Sequence, residues 1–174
     1  MVDIQTVSIA IASAGVFVAA IYYIFQIRHQ TRLRQTDLVM RLYSTFASED
    51  HRTAGKKVIW ITYKDYDDYV KKYGAPNSEE PIPTAVDTVL YFYDEVGVLL
   101  SKKLVDIDLI DQLFGYNIML VGAKVMPILE EGRKRLNVPR FWTNFEYLYN
   151  EMKKREQKFQ QSKLNNSPKI SGTL

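Results

Sequence analysis

The chain opens with IQTVSIAIASAGVFVAAIYYIFQI, residues 4–27, and the reading of this stretch governs the reading of everything after it. No Asp, Glu, Lys or Arg interrupts it. As an α-helix rising about 1.5 Å per residue it would reach about 36 Å, enough to cross a hydrocarbon core of about 30 Å with some tilt. Its polar residues, Gln5, Thr6, Ser8 and Gln26, sit near the ends. Ser13 lies deeper, where its hydroxyl can return to a backbone carbonyl one turn back. Tyr22 and Tyr23 stand near the exit, at the level where amphipathic rings favour the headgroups. Gly15 and Ala19, with Ser8 and Ala12 near the same face, make the small-residue spacing that lets two membrane helices approach.

The flanks set the expected topology. Only Asp3 carries charge before the stretch, whereas Arg28, His29, Arg32 and Arg34 follow it. The positive-inside rule places the amino terminus outside and the remainder in the cytoplasm, making a single-pass cell-membrane protein. A cleaved signal peptide fits poorly, because the apolar run is too long and no small-residue cleavage site ends it.

Residues 1–27 are therefore read as a tail and transmembrane anchor, 28–160 as a helical cytoplasmic domain, and 161–174 as a disordered polar tail. Hydrophobic residues make up 47% of the chain and charged residues 25%, which is ordinary for a folded domain. The absence of Cys excludes disulfides and thiolate zinc sites. The net charge of +3 is unevenly spread. Arg28, Arg32, Arg34 and Arg41 oppose only Asp37, and six Lys or Arg oppose two Glu after Tyr149, while the middle is acidic. Arg28, Arg32, Arg34, Lys153, Lys154 and Arg155 are thus the candidate contacts to anionic lipid headgroups.

The domain reads as all-α, with five or six helices after the anchor. Leu38, Val39, Leu42, Tyr43 and Phe46 continue the first helix as an amphipathic stripe. Ser48 caps the next helix, which turns Ala54, Val58 and Ile61 inward. A short helix from Asp65 to Tyr73 stops at Gly74, and residues 75–83 read as a proline-rich loop. Thr84 with Asp87 suggests a capping box for a helix whose stripe is Val86, Val89, Leu90, Tyr93, Val96, Gly97 and Leu100. Gly97 on that stripe points to a close helix crossing. Asp106 or Asp108 caps a helix carrying Ile110, Phe114, Ile118, Val121, Val125 and Ile128, with Pro127 expected to kink it. Pro139 is expected to open the last helix, with Trp142, Phe145, Leu148, Tyr149, Met152 and Phe159 on one face.

The search for chemistry yields surfaces and no reaction. His29 and His51 do not form the pairs a di-iron bundle needs, and His51 reads as a solvated helix-start residue. Asp106, Asp108 and Asp111 are explained by capping. No P-loop, dinucleotide fingerprint or nucleophile elbow occurs, so no cofactor, metal or catalytic residue is implied. Tyr63, Tyr66, Tyr69 and Tyr73 form a stripe that packs at the bundle rim or offers a surface to a partner. Nucleic acid is disfavoured there, since Asp65, Asp67 and Asp68 would repel phosphates. Arg133 and Arg140 are the candidate anion contacts.

With the anchor and its arginine-rich exit, the segments LVMRLYSTFASED, YFYDEVGVLLSKKLVDIDLIDQLFG and RFWTNFEYLY make the chain resemble a prokaryotic family of unknown function. That family consists of single-span proteins with a cytoplasmic helical domain, and the resemblance implies architecture without mechanism. The function expected is a membrane-anchored interaction or scaffolding module, not an enzyme, holding a protein partner or its own copies at the bilayer. The alternatives are a tethered enzyme using Asp94, Glu95 and Glu146, and an anchor binding RNA or anionic lipid through its basic ends.

Overall fold

The computed structural model describes residues 3–166, apart from the side chains of residues 6–11 and 164–166. Among the described residues the fold is helical throughout. Its elements are α1 (Ile4–Phe46), α2 (Glu49–Ile59), α3 (Tyr66–Tyr73), α4 (Pro81–Ser101), α5 (Ile107–Leu136) and α6 (Thr143–Asn166). The chain divides into two compact units, Met1–Met40 and Arg41–Leu174.

In the first unit α1 presents Val16, Phe17, Val18, Ile21, Ile24, Phe25 and Ile27 as exposed side chains, each more than half accessible. Part of the expected span, the side chains of residues 6–11, lies outside the described residues. Arg28, Arg32 and Arg34 are exposed further along the same helix. Helicity carries through them, as the apolar spacing predicts.

The second unit is a bundle in which α4 packs along α6 and α2, and α5 packs on α6, α2 and α3. Its core is α4 and α5. Val89, Leu90, Tyr93 and Val96 are buried on α4; Ile110, Phe114, Ile118, Val121 and Val125 are buried on α5. By length and composition Ile107–Leu136 is apolar enough to cross a membrane, yet half of its apolar window is covered by the rest of the bundle. That burial makes α5 the core helix of this unit.

Gly97 lies where α4 meets the start of α6. A Cβ built there would stand 2.2 Å from the carbonyl oxygen of Asn144, so the crossing requires glycine. Asp94, one turn earlier on α4, accepts hydrogen bonds from the backbone N–H of Phe145 (2.9 Å) and from Asn144 Nδ2 (3.0 Å). A carboxylate at a helix N-terminus satisfies an orphan donor and complements the dipole.

Several boundaries differ from the sequence expectation, each for a local reason. α4 begins at Pro81 rather than Thr84, because prolines need no N–H in a first turn; Glu80 is the N-cap and makes no side-chain cap bond. α6 begins at Thr143 rather than at Pro139. The intervening turn is held by Arg133, whose Nε donates to the carbonyl of Phe141 (2.7 Å) and Nη2 to that of Trp142 (3.1 Å). Trp142 itself takes the left-handed conformation at φ +56°. α6 runs past Gln160 to Asn166, so residues 161–166 are helical rather than disordered; the rest of the expected tail lies outside the described residues. Phe159 is exposed and not part of the core stripe. Within α5, Asp111–Gly115 widens into a π turn that the spacing did not foretell. Ser48, Asp65 and Asp106 cap α2, α3 and α5 with their side chains.

Candidate functional site

α2 carries two adjacent rows of side chains. His51, Gly55 and Ile59 follow one another at a spacing of four, as do Arg52 and Lys56 beside them, so each row shares a face. Both rows border a cavity of about 140 Å³. α4 contributes Val89 and Tyr93, again four apart, and α5 contributes Asn117 and Val121 at the same spacing. Phe46, in the last turn of α1, closes one side.

The polar side chains of this cavity make no hydrogen bond or ion pair to one another or to the rest of the bundle among the described residues. His51 is only 5% exposed, set among the rings of Phe46, Phe92 and Tyr93 at centroid distances of 5.4, 4.7 and 5.9 Å. Among the described residues its ring nitrogens have no hydrogen-bond partner; only its backbone N–H bonds, to Ser48 Oγ. Burial lowers the His51 pKa from its ordinary value, which keeps the imidazole neutral. Burial likewise raises the pKa of Tyr93, whose hydroxyl has no partner among the described residues. The Asn117 amide and the charged ends of Arg52 and Lys56 likewise have no partner among the described residues. His51 also borders a second, open groove with Asp50, Asp94, Glu95, Tyr91 and Trp142, so its ring separates a basic opening from an acidic one.

His51 is therefore not a solvated helix-start residue. Its position was legible in principle, since it precedes Ala54 and Val58 by three and seven residues and shares their buried stripe. The neighbouring Glu49 and Asp50 masked that signal.

The residues singled out from sequence serve the fold in several ways. Tyr69 is buried, packed with Ile61 and Ile128, and burial raises its pKa. It is thus absent from any surface the tyrosine stripe offers. Tyr63 and Tyr66 are half-buried against the same cluster; the Tyr63 hydroxyl donates to the carbonyl of Lys124, and the Tyr66 ring lies 4.6 Å from the Arg135 guanidinium. Tyr73, also half-buried, shares its hydroxyl with the backbone of Thr62, and those bonds lower its pKa. Arg133 pairs with Glu146 and with the two carbonyls of the 138–142 turn, so its guanidinium is occupied; Arg140 is exposed. Asp94, a candidate acid/base carboxylate, instead caps α6 through Phe145 N–H and Asn144 Nδ2. Glu95 is exposed beside Asp94.

Of the candidate lipid contacts on α6, Lys153 and Lys154 are exposed, and Lys154 pairs with Glu151 at 2.6 Å. Arg155 turns to the bundle and binds Asp111 at 2.9 Å and Asp108 beside it, tying α6 to the start of α5. Those pairings raise its pKa. They also account for Asp108 and Asp111, while Asp106 caps α5.

The family model for DUF4760, a domain of unknown function, matches residues 9–152, and the chain belongs to that family. No curated protein and no solved structure matches the chain.

Proposed function

We propose that this DUF4760 member is a membrane-anchored helical module whose bundle, residues 41–166, recognises a partner at the bilayer. The observation that carries the reading is the exposed apolar run of α1 from Val16 to Ile27. That many adjacent Val, Ile and Phe side chains, each more than half exposed, are stable in a hydrocarbon phase and costly in water. Arg28, Arg32 and Arg34 directly after it support a cytoplasmic location for the bundle. Recognition of a protein partner or a second copy is supported by the large rings the bundle leaves exposed, above all Trp60, Tyr91 and Tyr116.

Alkaline extraction of native membranes tests the anchor. The full chain is expected to stay in the pellet and Phe17→Arg/Ile21→Arg to be released; release of the unaltered chain would refute it. Protease protection of a carboxy-terminal tag reads the orientation. Purification of the tagged chain in mild detergent tests the module: a stoichiometric partner or a defined self-assembly supports it, and a lone monomer overturns it.

A further inference from the structure

We infer that the cavity between α2, α4 and α5 is a binding site for a small monocarboxylate with a benzene-sized apolar body. The site lies wholly within residues 41–166 and stands whether or not the chain is anchored.

Three observations carry this. The first is size. The cavity of about 140 Å³ is close to the roughly 150 Å³ of an engineered apolar cavity that takes up benzene. Phe46, Ile59, Val89 and Val121 supply apolar walls for such a ring.

The second is charge and hydrogen bonding. Arg52 and Lys56 stand exposed at the lip, one turn apart, with no ion pair among the described residues. Arg133, Arg135 and Arg155, by contrast, are committed to Glu146, Asp67 and Asp111. No acidic side chain borders the cavity. A carboxylate at the lip would accept charge-assisted hydrogen bonds from both cations. Deeper in, the His51 ring and the Tyr93 hydroxyl line the cavity without a hydrogen-bond partner among the described residues, so a polar group of a ligand would find bonding capacity there.

The third is Gly55. Glycine inside a helix costs roughly 1 kcal/mol relative to alanine. At Gly97 close packing explains it, but a Cβ at Gly55 would meet no atom within 4 Å. Packing does not require glycine there. What glycine does at this position is leave the mouth of the cavity open.

The test uses the full chain in lipid nanodiscs, with benzoate as the probe and benzyl alcohol as its neutral counterpart. A His29→Gln background leaves His51 as the one imidazole to follow by NMR. Benzoate is expected to shift the His51 ring signals and raise the melting temperature, and to bind about tenfold or more tightly than benzyl alcohol. Arg52→Gln/Lys56→Gln should erase that preference while leaving benzyl alcohol binding unchanged. Gly55→Leu should abolish binding of both while melting no lower than the unaltered chain. The inference is overturned if benzoate at millimolar concentration leaves His51 unmoved, if the neutral probe binds equally well, or if Gly55→Leu folds and still binds. Should Gly55→Leu fail to fold, the charge variant decides alone.

Discussion

The amino-terminal half of α1 and the whole of α4 both draw on Val, Phe and Tyr side chains yet place them oppositely. Between Val16 and Ile27 the Val, Ile and Phe side chains are exposed, whereas Val86, Val89, Leu90, Phe92, Tyr93 and Val96 of α4 are covered. The difference lies in pattern. α4 interrupts its apolar residues with Thr84, Asp87, Thr88, Asp94 and Glu95, leaving one stripe for the bundle and one polar face. α1 has no such face before Arg28, so no side of it is better suited to water than another. An apolar helix of that kind is matched to a hydrocarbon environment, and a striped one to a protein neighbour.

The contrast can be broken most forcefully from the bundle side. Phe145→Ala empties a fully buried site beneath α4 and should lower bundle stability by about 3–5 kcal/mol, read by denaturant unfolding in detergent. Phe17→Ala, the same change on the exposed run, should leave that transition where it is. The converse experiment places a charge in the run. Ile21→Arg should penalise membrane insertion by about 2.5–3.5 kcal/mol, read as the fraction retained after alkaline extraction, with bundle unfolding unaltered.

A smaller effect is expected from Gly97→Ala. Its methyl group meets backbone at Asn144, which cannot rotate away, so the crossing must open at a cost of about 1–3 kcal/mol. Gly55→Ala should go the other way and raise stability by up to about 1 kcal/mol, because its methyl group meets nothing. Equal effects at the two glycines would refute the distinction between them.

The smallest expected effect is a pH dependence. His51 binds its proton less readily in the folded bundle than in the unfolded chain. Stability is therefore lost as pH falls through the unfolded value of about 6.5, by at most about 1.4 kcal/mol per pH unit, until the folded value is passed. His51→Phe should flatten that part of the melting profile. Arg52 and Lys56 on one side of the ring, and Asp50, Asp94 and Glu95 on the other, remain in both proteins, so the difference isolates His51.

The helices themselves were legible because their signals are local. Ser48 and Asp106 announce helix starts by capping chemistry, and spacings of three and four mark the buried faces of α4 and α5. Gly97 announced a close crossing because nothing else justifies glycine on an apolar stripe. The site was far less legible. His51 looks solvated beside Glu49 and Asp50, and only Phe92 and Phe114, brought near Phe46 and His51 by the packing of α4 and α5, show otherwise. The start of α6 misled for a similar reason. Pro139 is a sound local signal, but Arg133 captures the carbonyls of Phe141 and Trp142 and holds the turn open to Thr143.

Sequence alone determined that this protein is helical, where its long apolar run lies, and which faces of α4 and α5 turn inward. Those properties depend on composition and on periodicity within one turn of helix. Tertiary structure decided which polar residues are consumed by the fold and which are left free. Asp94, Arg133 and Arg155 find partners on other helices, while His51, Arg52, Lys56 and Asn117 surround a cavity without any. Such pairings join residues tens of positions apart, and no local pattern encodes them.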